Sequence, residues 1–505
     1  MVLRTMNKTR VLKNLAISSI CEAITLILGL ILPRVILIAW GSEYNGLISS
    51  VTNILRYLSL LEAGINTATL QALYKAVGTG DKEQTKVIVR TSQKYYHQFS
   101  FVYSIIVCGI AFTYPFFVST TIAYFEVVLI ILLQGAAGVI NFAFRASYQQ
   151  LLNAEGKYYV ISLITLLTTV LTYSAKIVAV KVFNSVLIMQ VMGVLIILLQ
   201  ISIYSIYFHK KYYWMDKNAA TDRSLIKNRK YYLIQQAAGL VFNSTDTIVL
   251  SIVCGLKVAS VYAVYNMVYV ALAQIIALIR SSTNFVLGQS FHVNKSLFVE
   301  VYDAYSIMQT TIGGIMSSIS IILIIPFVKL YTDGISDVNY IDYLAGIIFS
   351  FNLILECSRG TSLASANIAG KAPQTTNRYV IEALLNLFSS LILVQFMGLK
   401  GVLLGTAIAG LYRTIDSIMY TNHFVFNRKA TSEFKTIIIS IALFLVFTYV
   451  GYIGWIGPVN NYVELIIKAI AVALVVSIVY GLIIVMLNRK RIKVLFGLIF
   501  KKQRS

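Results

Sequence analysis

Apolar residues fall into fourteen runs separated by short polar gaps, at about 14 to 40, 46 to 73, 96 to 120, 122 to 147, 158 to 182, 185 to 208, 231 to 254, 258 to 281, 300 to 328, 340 to 360, 378 to 397, 400 to 424, 434 to 457 and 462 to 488. Each is near the roughly 20 residues that an α-helix needs to cross a bilayer. The pattern predicts an all-α polytopic membrane protein with fourteen transmembrane helices. The first run is too long for a signal-peptide core and lacks a small-residue cleavage pattern, so it is expected to remain as the first helix.

A second pattern lies beneath the first. Arg145, Asn153, Gly156 and Lys157 return 214 positions later as Arg359, Asn367, Gly370 and Lys371, and Gly41 returns as Gly255. An internal duplication of this length in an apolar chain suggests the two halves of a transporter, with the substrate site where the repeats meet. Each repeat holds six helices, an even number, so the copies share one orientation and are related by a pseudo-two-fold axis along the membrane normal. The expected division is a six-helix bundle over 1–208, a basic linker over 209–230, a second six-helix bundle over 231–424, and two further helices with a basic tail over 425–505. Gly156 and Gly370 also fit a plainer role, turning the chain at a helix end.

The chain is 58% hydrophobic and only 12% charged, with a net charge of +22, and its mean hydropathy is +0.77. A basic excess can mean nucleic acid, but here it sits in the gaps between apolar runs, which points to a membrane surface. With the N-terminus inside, 32 of the 42 Lys and Arg fall in inner segments and 4 in outer loops (Lys181, Lys257, Lys329, Lys400). Both termini are therefore expected in the cytoplasm. Tyrosine pairs such as Tyr95 and Tyr96, or Tyr212 and Tyr213, mark inner helix ends. Cys21, Cys108, Cys254 and Cys357 lie in or beside apolar runs with no CxxC spacing, so neither disulfides nor a metal site are indicated. No GxxxxGK[ST] loop is present, which argues against ATP hydrolysis by this chain. No catalytic residue and no cofactor are expected, a coupling Na⁺ or H⁺ apart.

Charges inside the spans carry the candidate chemistry. Arg34, Arg56, Lys176, Arg280, Arg413 and Lys468 lie at depth, and each costs about 2.5–3.5 kcal/mol at a helix centre unless it finds water, a partner or a ligand. Helical spacing pairs Arg413 with Asp416, Lys468 with Glu464, and Arg359 with Glu356. Arg34, Arg56, Lys176 and Arg280 have no acid within four positions. Their alternatives are long-range pairing with Glu22, Glu62, Asp246 or Glu382, or an anion pathway continued by Arg145 and Arg359 at the inner mouth. Arginine suits a phosphate because its planar fork of donors stays charged. Asp246, Glu62 and Glu382 are the candidates for ion coupling. Asp246 would be protonated, paired with a cation such as Arg34, or bound to Na⁺.

Three stretches, GSEYNGLISSVTNILRYLSLLEAGI (41 to 65), STDTIVLSIVCGLKVASVYAVYNMVY (244 to 269) and VIEALLNLFSSLILVQFMGLKGVLLGTAIAGLYR (380 to 413), resemble bacterial polysaccharide repeat-unit flippases. These belong to the multidrug, oligosaccharidyl-lipid and polysaccharide exporter superfamily. The resemblance implies movement of an undecaprenyl-pyrophosphate-linked oligosaccharide, a capsule or exopolysaccharide unit or a teichoic acid precursor, to the outer leaflet of the bacterial cytoplasmic membrane. The related lipid II flippases have fourteen helices and cavity arginines on the first, second and eighth. The resemblance thus assigns that role to Arg34, Arg56 and Arg280, and a lipid-tail groove to the last two helices. Lys176 and Asp246 have no secure counterpart there. Membrane lipids and polysaccharide polymerase machinery are the expected partners of a monomer. A multidrug exporter would favour a cavity of net negative charge, and a membrane glycosyltransferase or polymerase would show a large hydrophilic catalytic loop.

Overall fold

The computed structural model describes residues 8–58, 79–144, 146–215 and 230–488, with isolated positions between and beyond them. Its elements are α-helices with short 3₁₀ and π turns, and no strand occurs among the described residues. The helices are α1 (Lys8–Leu58), α2 (Lys82–Thr113), α3 (Tyr124–Phe144), α4 (Ala146–Ala154), α5 (Tyr158–Val178), α6 (Val186–Lys211), α7 (Lys230–Val253) and α8 (Leu256–Val293). They continue as α9 (Lys295–Tyr331), α10 (Tyr343–Ile368), α11 (Ala372–Met397), α12 (Leu399–Tyr420), α13 (Thr431–Tyr452) and α14 (Tyr462–Leu487). Short polar side chains start several of them. Asp81 accepts from the Gln84 N–H at 2.9 Å, Asn294 from Leu297 at 2.7 Å and Asn461 from Glu464 at 2.8 Å, each meeting a donor that the first turn leaves open.

Twelve of the described segments are long and apolar enough to cross a membrane, which makes the chain an all-α polytopic membrane protein. The difference from fourteen has two causes. α1 is continuous in hydrogen bonding but breaks at Gly41, whose φ of 77° and ψ of −170° are open only to glycine, so two expected helices are arms of one element. α10 falls below the apolar threshold because it carries Asn352, Glu356, Arg359 and several serines. It is buried along most of its length, where polar side chains find partners instead of lipid. The long helices also run past the apolar core. α2 starts at Lys82 rather than near 96, and α8 continues to Val293.

Contacts divide the chain into two compact units, residues 1–240 with 255–260, and residues 241–254 with 261–505. In the first, α2 packs on α3, α3 on α6, and α5 on both α6 and α1. In the second, α9 packs on α10, α13 and α14, while α12 packs on α10 and α11. Tyr480 of α14 lies against Gly314 of α9, with its hydroxyl 3.1 Å from Ser318 and donating to the Ser440 carbonyl at 3.0 Å. The last two helices are thus fastened to the second unit by a buried polar contact.

The duplicated glycines repeat in the backbone. Gly41 and Gly255 have φ of 77° and 86°, and Gly156 and Gly370 have φ of 68° and 73°. Gly156 N–H donates to Asn153 and Lys157 N–H to Leu152; Gly370 and Lys371 donate to Asn367 and Ala366 in the same way. Both are left-handed helix caps of the Schellman type. That is a structural role for the glycines of the repeated motif.

Candidate functional site

The first unit encloses a cavity of about 550 Å³, within the range of roughly 300–1,000 Å³ usual for ligand sites. Arg56 from the second arm of α1 and Lys176 from α5 both line it, together with Gln134, Asn141, Gln149 and Gln190, and no carboxylate lines it among the described residues. Arg56 is oriented by a weak contact with Asn53 at 3.4 Å. The Asn141 carbonyl oxygen and the Gln190 amide nitrogen are buried without a hydrogen-bond partner, so amide groups of both polarities are available beside the two cations. Amides at Gln134, Asn141 and Gln190 interrupt apolar runs. The rule that flags charges at membrane depth would have flagged them too.

The second unit handles charge differently. Arg280, which has no acid nearby in sequence, meets Glu356 of α10 at 2.8 Å, and the Tyr269 hydroxyl donates to the other oxygen of the same carboxylate at 2.8 Å. Glu356 is therefore not the partner of Arg359, as helical spacing suggested, nor is Arg280 paired with any of the four acids considered for it. Arg359 instead bonds Glu382 and lies over the Phe242 ring. Glu382 also faces Arg413 at 3.3 Å, and Arg413 meets Asp416 at 3.1 Å as its spacing predicts. Asp416 holds Arg378 as well. Glu382 thus bridges two arginines, and Arg413 is only 1% exposed. Lys468 pairs with Glu464 at 2.7 Å, again at the expected spacing.

Asp246 stands apart from that network. It is 2% exposed on the wall of a small pocket of about 40 Å³ that Tyr262, Asn352, Glu356, Arg359 and Thr406 also line. Its Oδ2 accepts from Thr406 at 2.6 Å and from Tyr262 at 3.2 Å, while its Oδ1 is buried without a hydrogen-bond partner. Thr406 lies 3.1 Å from Asn386 Oδ1 and 3.3 Å from the Val402 carbonyl. A carboxylate, an amide oxygen, a hydroxyl and a main-chain carbonyl converge here, a set of hard oxygen donors. The hydroxyl partners of Asp246, not a cation, were the part that sequence spacing could not supply, since they come from α8 and α12.

Arg34 is half-buried and is not among the residues lining the larger cavity. Arg145 and Glu62 lie outside the described residues.

No protein-family model and no curated protein matches this sequence. Solved structures do. The lipid II flippase MurJ in an inward closed conformation is similar with a TM-score of 0.66 at 14% identity over 94% of this chain and 99% of that one. An inward-facing multidrug resistance MATE family transporter of the MOP superfamily gives 0.64 at 15% identity over 81% and 95%. A MOP superfamily transporter from Pyrococcus furiosus, described as having a binding pocket of reversed polarity, gives 0.56 at 14% over 84% and 97%. At these identities the likeness establishes architecture, and the chain has the fold of the MOP superfamily transporters.

Proposed function

We propose that this chain is a flippase that carries an undecaprenyl-pyrophosphate-linked oligosaccharide across the bacterial cytoplasmic membrane by alternating access. The carrying observation is the cavity of the first unit, whose described lining holds two cations, Arg56 and Lys176, and no acidic side chain. A lining of that sign attracts a pyrophosphate and repels an organic cation. The likeness to the lipid II flippase supports a lipid-linked cargo. Arg280 and Arg359 are held by Glu356 and Glu382, so in this reading they reach the cargo only when its phosphate displaces a carboxylate. Asp246, with its oxygen donors, is the site of a coupling Na⁺ or H⁺.

A second reading, a carrier of organic cations, rests on the acids Asp246 and Glu356 in the pocket of the second unit. Proteoliposomes decide between the two. Flipping of a lipid-pyrophosphate-linked oligosaccharide should fall at least about tenfold in Lys176→Gln and in Arg56→Gln, the loss of one charge-assisted contact, with unchanged thermal unfolding. Uptake of a lipophilic cation by wild-type protein, with no flipping of the pyrophosphate lipid, would overturn the proposal.

A further inference from the structure

A second basic pocket lies at the end of the first unit where α2 begins and α6 ends. It is formed by Lys86, Arg90 and Gln93 of α2, His209 of α6 and an aromatic wall, and no acid lines it among the described residues. Lys82, Lys86 and Arg90 recur every four residues, so three cations stand on one face of a single helix. Like charges at that spacing oppose each other. Only part of this charge is answered. Lys82 lies over the Trp214 ring at 5.8 Å, and Lys86 pairs with Glu83, an exposed partner of little worth. Among the described residues, Arg90 meets the neutral amide of Gln93 at 3.3 Å and no carboxylate. His209 donates Nδ1 to the Ser205 carbonyl at 2.8 Å, so its Nε2 can donate to an anion only from the imidazolium.

The wall is rigid. Tyr148 and Phe208 lie 4.2 Å apart between ring centroids, and Tyr212 stacks on Phe208 at 4.6 Å. Tyr212 donates to Glu155 at 2.6 Å, and burial together with that carboxylate holds its phenol above the ordinary pKa. Glu155 is in turn engaged by Lys157, so the nearby carboxylate is spoken for. The space is about 80 Å³, room for roughly five waters and enough for a phosphate group. Lys86 and Arg90 precede the apolar run of α2, which starts near 96, and α6 ends at Lys211, so the pocket lies where both helices have passed beyond their apolar stretches.

We propose that this pocket binds a phosphate ester, with Arg90 and Lys86 on the phosphate and the Tyr148–Phe208–Tyr212 wall against the group it carries. The site is separate from the cavity that holds Arg56 and Lys176, and its occupant is either a lipid headgroup or a soluble phosphate compound. Purified full-length protein is titrated with dihexanoyl phosphatidylglycerol, inorganic phosphate and uncharged dihexanoylglycerol, with thermal unfolding as the readout. Saturable stabilisation by phosphatidylglycerol alone identifies a headgroup site; saturation by inorganic phosphate identifies a soluble ligand. Either response should weaken about tenfold or more in Lys86→Gln/Arg90→Gln and persist in Lys176→Gln. Arg90→Gln alone serves the same purpose should the double variant misfold. Wild-type affinity in the pocket variants, loss of the response in Lys176→Gln instead, or an equal response to the uncharged lipid would each overturn the assignment.

Discussion

Glu356 holds Arg280 while Glu382 holds Arg359 and Arg413, and the division has measurable consequences. Removing the charge of Glu382 leaves Arg359 and the buried Arg413 without their shared partner, and breaking a buried pair from one side costs about 3–5 kcal/mol. Glu382→Gln is therefore expected to unfold at markedly lower temperature in detergent; unchanged unfolding would show that the bridge carries no stability. Asp246→Asn should behave in the opposite way. Its Oδ2 is held by two hydroxyl donors that an amide oxygen can still accept, so the fold should persist. What should be lost is the dependence of flipping and of thermal stability on Na⁺ or pH. Retention of that dependence in Asp246→Asn would remove this residue from coupling. At this scale the sequence exposed which cations lie at depth, and their partners only where these sit one helical turn away, as for Arg413 and Lys468. Arg280 and Glu356 are 76 positions apart, and only packing brings α8 and α10 together.

Among elements, the duplication is clearest at its turns. Gly156 and Gly370 sit in left-handed conformations with no heavy atom near a built Cβ at Gly370, so alanine there is opposed by backbone strain and not by crowding. Each Gly→Ala change is expected to cost about 1–2 kcal/mol, and the two together should cost the sum, because the caps belong to different units and share no partner. A chemical-denaturation series on the single and double variants measures this. A double cost well beyond the sum would mean that the motif acts as one functional device. These turns were legible because glycine is the residue favoured where a positive φ is required, although Asn184 and Asn427 adopt one as well. α10 was legible as a helix but not as an interior one, since its polar residues look unfavourable until the neighbours that satisfy them are in place.

For the molecule as a whole, charge placement carries the predictions on orientation and drive. The excess of Lys and Arg on one side predicts that a cysteine placed within 209–230 is labelled only after a membrane-impermeant reagent is given access to the inside. Labelling from outside would invert the topology. A cargo of about two negative charges leaving an inside-negative compartment gains about 2.3 kcal/mol per charge for each 100 mV. Flipping by the reconstituted protein should thus accelerate when a potassium diffusion potential of that sign is imposed. A rate indifferent to potential would place the drive in the ion gradient alone.

The sequence by itself determined the membrane class, the all-α architecture and the recurring glycine turns. Each follows from a local and additive property: apolar length against bilayer thickness, and glycine at positive φ. Tertiary structure decided which of the buried charges are spent on one another and which face open space. Arg280, Arg359 and Arg413 are neutralised by acids from other helices, whereas Lys176 lines a cavity with no acid among its described lining residues. Arg280 and Lys176 read alike in the chain, as cations with no acid within four positions, because a side chain's electrostatic environment is set by helices distant in sequence and is fixed only when they pack.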